Sequence, residues 1–86
     1  MLLHTYTGLP SNVRSWTMDQ VVEYFQSTAD CKDFADLFAE QEIDGTALLL
    51  LTHEALVKCL GIKLGWAVKI MAHVEALKRH FEAKSQ

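Results

Sequence analysis

The stretch "EIDGTALLLL", residues 42–51, decides how the chain is read. Four consecutive leucines, Leu48 to Leu51, follow the turn signal Asp44-Gly45, and such a short apolar run fits a buried strand or a buried helical turn equally well. A strand needs a partner to satisfy its backbone N–H and C=O groups. No other segment of the sequence has strand character, so the run is expected to be a brief helix or 3₁₀ turn. The chain is then all-helical.

Working outward, each neighbouring segment carries a helix signal. Upstream, "DCKDFADLFAEQ" places Phe34, Leu37 and Phe38 at i, i+3 and i+4, the spacing of a short helix with an acidic outer face, with Asp30 as its expected cap. Further upstream, "SWTMDQVVEYFQS" combines Thr17 as N-cap with Gln20 three residues on, a capping box. Trp16 before the cap is placed to staple against Val21, and Val21, Val22 and Phe25 form the inward face. Downstream, Thr52 caps "HEALVKCL", where Leu56 and Leu60 lie one turn apart and Gly61 is the stop. The last segment, from 64 to about 83, is the longest. Its residues Ile70, Val74, Leu77 and Phe81 step by four, three and four and form one stripe.

Five helices, four short and one long, account for residues 14–83. Residues 1–13 lack periodicity and hold the single proline, Pro10, so they are expected to be a flexible leader; 84–86 are a tail. With 86 residues, 50% of them hydrophobic and 22% charged, the chain has the composition of one small globular domain. The opening "MLLHTYTGL" is too short and uncharged for a signal peptide, and no apolar run reaches the roughly 18 residues a membrane span needs. A soluble intracellular protein is expected. Cys31 and Cys59 show no paired spacing, and His4, His53, His73 and His80 are scattered singly. Both cysteines are therefore expected to be small buried residues in a reducing compartment, and the histidines to be ordinary helix positions, with no metal or other cofactor. The sequence has neither a Gly-rich phosphate loop nor a nucleophile–base constellation, which argues against an enzyme.

Charge is distributed unevenly around the net value of −3. Asp30, Asp33, Asp36, Glu40, Glu42, Asp44 and Glu54 crowd the middle of the chain, where Lys32 is the counter-charge. From residue 57 on, Lys58, Lys63, Lys69, Lys78, Arg79 and Lys84 outnumber Glu75 and Glu82. On a wheel of about 100° per residue, Trp66 lies about 40° from Ile70 and shares its face, whereas Leu64 and Val68 lie about 120° and 160° away. These two apolar side chains point off the core stripe. Lys63 and Lys69 flank them near the helix N-terminus, where the helix dipole disfavours cations.

The order of these features, a Trp before the first cap, "QEIDGTALLLLT" at the centre and "LGIKLG" before the last helix, resembles the sterile alpha motif (SAM) domain. It is most similar to the SAM domains of Polycomb-group chromatin proteins of the polyhomeotic, Scm and MBT-repeat kinds. The resemblance implies a five-helix bundle and a nuclear protein that associates head to tail with itself or with other SAM domains. It implies an acidic mid-loop surface at Asp36, Glu40, Glu42, Asp44 and Ala47, with Leu48 or Leu49 according to which is exposed. It implies that this surface receives the end-helix surface of the next copy, at Lys63, Leu64, Trp66, Ala67, Val68 and Lys69. Where related sequences usually read "KLGPALKI", this chain reads "KLGWAVKI", residues 63–70, so both departures fall on the end-helix surface. Two alternatives remain: a SAM domain that pairs only with a different SAM domain, and one that binds RNA hairpins through Lys63, Lys69 and Lys78. The acidic balance and sparse basic cluster weigh against nucleic acid.

Overall fold

A computed structural model describes residues 9–85, with side chains described over 9–80. The elements are α1 (Met18–Gln26), α2 (Ala35–Glu40), α3 (Gly45–Leu49), α4 (Ala55–Cys59) and α5 (Leu64–Ser85). Single 3₁₀ turns at Val13–Ser15 and Lys32–Phe34 precede α1 and α2. No strand occurs among the described residues, and the architecture is the expected all-α bundle with a long last helix. No helix among the described residues is long and apolar enough to cross a membrane.

Helix α1 starts where its capping box places it. The Gln20 backbone N–H donates to Thr17 Oγ1 at 3.2 Å, and the Thr17 backbone N–H donates to Gln20 Oε1 at 2.9 Å. Val21, Tyr24 and Phe25 form its buried face, so Tyr24 takes the inner place expected for Val22, which is half-buried. Phe25 meets Phe38 of α2 at a centroid distance of 4.8 Å.

The leucine run is helical at its start, and Asp44 is its cap: the Ala47 N–H donates to Asp44 Oδ1 at 2.9 Å. Gly45 follows because its backbone lies against the turn before α1. Its N–H donates to the Trp16 carbonyl at 2.9 Å, and a Cβ there would collide with the Val13 carbonyl oxygen. This contact joins the centre of the chain to its upstream end.

The same contact corrects the expected boundary of the leader. Residues 1–8 lie outside the described residues, but Val13 is buried, Leu9 packs on the core, and the Trp16 indole N–H donates to the Pro10 carbonyl at 2.8 Å. The packed chain therefore reaches upstream of residue 13.

Three further expectations change. Asp30 does not cap α2; that helix grows out of the Lys32–Phe34 turn without a side-chain cap, and Asp30 reaches α5 instead. Helix α4 is one wide turn in which the Leu60 N–H donates to the Ala55 carbonyl, five residues back; Leu56 is buried and Leu60 half-buried. Gly61, at φ 70°, terminates it as expected. Cys31 is buried but Cys59 is exposed.

Helix α5 lays Ile70, Val74 and Leu77 into the core, with Met71 and Ala67 beside them. The Phe81 side chain lies outside the described residues. His73 is not an ordinary helix position: it is 5% exposed and both ring nitrogens have partners, Tyr24 Oη at 2.8 Å and Asp30 Oδ1 at 3.0 Å.

Candidate interaction surfaces

Between α2 and α3 the chain makes the turn that carries the acidic residues. The Ile43 N–H donates to the Phe38 carbonyl at 3.0 Å and the Glu42 N–H to the Ala39 carbonyl at 3.1 Å, a Schellman closure of α2. Such a closure puts a left-handed residue just past the helix, usually glycine. Here it is Glu42, at φ 56°. A residue with a Cβ is about 1–2 kcal/mol strained in that conformation, and the Glu42 side chain is solvent-exposed.

Asp36, Glu40, Glu42 and Asp44 are all exposed, and Ala47 is half-buried. The leucines distribute otherwise than expected. Leu48 and Leu49 are both buried, and the exposed one is Leu50, at 73%. The physical reason is the start of the helix: with Asp44 as cap, a helical step from Gly45 turns Leu48 and Leu49 inward and leaves Leu50, the residue that ends α3, outside. In the sequence, only the position of the cap relative to the four leucines hints at this.

The second surface is the first turn of α5. Leu64 is 64% exposed and Val68 50%, one turn apart, with Lys63 and Lys69 exposed beside them. The wheel reading holds for this pair. Ala67 does not belong with them: it is fully buried and part of the core. Trp66 has a divided environment. Its ring packs on Phe34 at 5.6 Å, Lys69 Nζ stands 4.3 Å from its centroid, and 39% of it remains exposed. The indole thus holds Lys69 near the surface that Val68 and Leu64 form, through a cation–π contact.

A small helical bundle with an acidic surface on its central turn and an apolar, lysine-flanked surface on its last helix is a protein–protein interaction module. The chain belongs to the sterile alpha motif (SAM) domain family, whose profile matches residues 13–78. It is 47% identical over 66 residues to the Polyhomeotic-proximal chromatin protein of Drosophila melanogaster, covering 77% of this chain and 4% of that protein. It is 45% identical over 73 residues to Scm-like with four MBT domains protein 1 of Homo sapiens, covering 85% of this chain and 8% of that protein. The chain therefore spans a small part of the length of these relatives.

Among solved structures, it is similar to a polyhomeotic SAM domain, with a TM-score of 0.72 and 43% identity over 80% of this chain and 97% of that one. It is also similar to a chain of the Scm-SAM and Sfmbt-SAM heterodimer, with a TM-score of 0.73 and 39% identity over 79% and 88%. A third neighbour, from a hetero SAM domain structure of Ph and Scm, has a TM-score of 0.67 and 47% identity over 74% and 97%.

Proposed function

We propose that this domain associates head to tail with itself and with other SAM domains, the acidic turn of one copy docking on the first turn of α5 of the next. The observation that carries the reading is the pair Leu64 and Val68, exposed between lysines on a helix whose core face lies elsewhere. Exposed apolar side chains ringed by charge mark a docking site. The helix start favours the same partner, because the first backbone N–H groups and the dipole attract carboxylates, as the lysines do. Asp36, Glu40, Glu42 and Asp44 would supply them, with Leu50 and Ala47 as the apolar contact.

Because the two surfaces differ, each copy that docks leaves one of each kind open. A non-closing rotation between copies gives an open helical polymer. The domain acts by binding rather than by catalysis, and its likeness to chromatin proteins supports a nuclear setting and a part in transcriptional repression. The pairing of unlike SAM domains in two of the similar structures supports a second reading, in which the partner is a different SAM domain. Binding of RNA by Lys63, Lys69 and Lys78 has less support, since Lys78 lies 3.4 Å from Glu75 and Lys69 is engaged with Trp66.

Sedimentation velocity tests the proposal. Mass should rise with concentration, and should fall as salt is raised, since the meeting charges are exposed. Val68→Glu and Leu50→Asp should each give a monomer, because burying one such apolar side chain is worth roughly 1.5–3 kcal/mol. Mixed, they should form a 1:1 dimer through the one intact surface each retains. A mixture that stays monomeric would show that the surfaces are wrongly placed. A wild-type domain that stays monomeric alone but binds a polyhomeotic or Scm SAM domain would select the hetero-pairing reading.

A further inference from the structure

Away from the leucine and valine contacts, the turn after α1 meets the middle of α5 through three side chains that association does not use. Asp30 and Cys31 come from the turn and His73 from the helix, and the carboxylate oxygen, thiol sulfur and imidazole nitrogen lie within 4.8 Å of one another. Cys31 and His73 are buried, while the Asp30 side chain is half-exposed.

The hydrogen bonds organise the three groups around the carboxylate. His73 Nε2 is 3.0 Å from Asp30 Oδ1, and the Cys31 thiol also bonds that carboxyl group. A carboxylate only accepts, so Nε2 carries a proton here, and in the neutral ring Nδ1 then accepts from the Tyr24 hydroxyl at 2.8 Å. Burial alone would raise the Asp30 carboxyl, but the hydrogen bond from His73, with smaller help from its own backbone N–H and the Cys31 thiol, brings it below its ordinary 3.8. Burial, then the charge and hydrogen bond of Asp30, push the Cys31 thiol up to about 12, with Lys69 opposing. An ionised carboxylate thus sits between two groups that each present it with a proton.

We propose that Asp30, Cys31 and His73 form a binding site for one divalent metal ion of the zinc class, with the Asp30 carboxylate, Cys31 Sγ and His73 Nε2 as ligands and water in the fourth position. One carboxylate, one thiolate and one imidazole are ligand types that zinc and cobalt(II) accept in tetrahedral sites. In such a site neighbouring donors lie about 3 to 4 Å apart. The Asp30 and His73 atoms already do, and a movement of about 1 Å by the thiol closes the widest gap. Asp30, at the solvent edge, gives the ion access and leaves room for the water.

The protons balance without an oxidant or reductant. The thiol proton leaves to solvent as Sγ bonds the ion, Asp30 contributes an oxygen that is already ionised, and the His73 proton is transferred from Nε2 to Nδ1. Nδ1–H then donates to Tyr24 Oη, which keeps its own proton and turns it away from the ring, reversing the direction of that bond. Tyr24 is thereby the positioning residue, holding the ring so that Nε2 faces the ion, as outer partners of metal-bound histidines do. Two negative ligands against a doubly charged ion leave the buried site neutral, which is what a low-dielectric setting favours.

Cobalt(II) titration of the chelator-treated protein tests this, in a Cys59→Ser background so that the exposed thiol does not contribute. The expected result is a 1:1 complex with thiolate-to-cobalt charge-transfer absorption, strong tetrahedral visible bands, and displacement of both by zinc. Cys31→Ser should abolish the charge transfer, and Asp30→Asn, at an exposed position that leaves the core untouched, should weaken binding at least tenfold. Tyr24→Phe should weaken it by about 10- to 100-fold while keeping the tetrahedral spectrum. Absence of charge-transfer absorption in the parent, or its persistence in Cys31→Ser, overturns the site. Should Cys31→Ser fail to fold, unchanged cobalt affinity in Asp30→Asn overturns it equally.

Discussion

The two candidate surfaces are built in opposite ways. The acidic one is a turn among short helices, held by backbone contacts: Gly45 against Val13 and Trp16, Glu42 in a left-handed conformation, Asp44 spent as a cap. The basic one is the free first turn of a single long helix, where side-chain direction follows from helical rotation. A residue's exposure on the first surface depends on how the chain folds back. On the second it depends on position along one helix, as the neighbours Ala67, fully buried, and Val68, half-exposed, demonstrate.

Substitution of those two neighbours gives the largest expected contrast. Ala67→Glu places an unpaired charge in the core and should cost about 3 kcal/mol or more, whereas Val68→Glu should leave stability within about 0.5 kcal/mol and abolish only association. Urea unfolding measures the first and sedimentation the second; equal stability of the two variants would break the contrast. On the acidic side, Gly45→Ala should cost about 1–3 kcal/mol, because the Val13 carbonyl oxygen and the Trp16 backbone must move. A thermal midpoint unchanged from wild type would show that this backbone contact is not close.

Glu42→Gly should act in the reverse sense. Relief of the left-handed strain should stabilise the monomer by about 0.5–1 kcal/mol, while loss of the carboxylate weakens head-to-tail binding. A variant both more stable and less associating would mean that Glu42 is kept for the interface at a cost to the fold.

The smallest effect concerns the joint that supports α5. Asp30 is lowered in the folded state relative to its ordinary 3.8, so its contribution to stability is present above that value and lost as pH falls through the lower folded one. In chelator-containing buffer, the stability difference between wild type and Asp30→Asn should therefore shrink as pH is lowered below about 4. A difference independent of pH down to acid unfolding would remove Asp30 from the joint.

Much of the fold was legible in local signals. The Thr17–Gln20 capping box, the Gly61 stop and the Ile70–Val74–Leu77 stripe all lie where sequence placed them, because caps and periodicity act over one or two turns. The site was legible in part. Leu64 and Val68 follow from rotation about one helix axis, whereas Ala67 was expected beside them only through the resemblance to SAM domains, and packing turns it into the core. Leu50 was missed because four adjacent leucines look alike until the cap fixes which of them turn inward.

The Asp30–His73 contact was out of reach. The two residues are 43 positions apart, and an aspartate ahead of a helix reads as a cap before it reads as anything else. By itself, then, the sequence determined the helices, their order and the separation of acidic from basic residues, since these rest on nearest-neighbour chemistry along the chain. Tertiary structure alone decided which leucine faces solvent, why Gly45 has no side chain, and that a carboxylate, a thiol and an imidazole share one corner of the bundle. Those depend on distances between segments that only packing brings together.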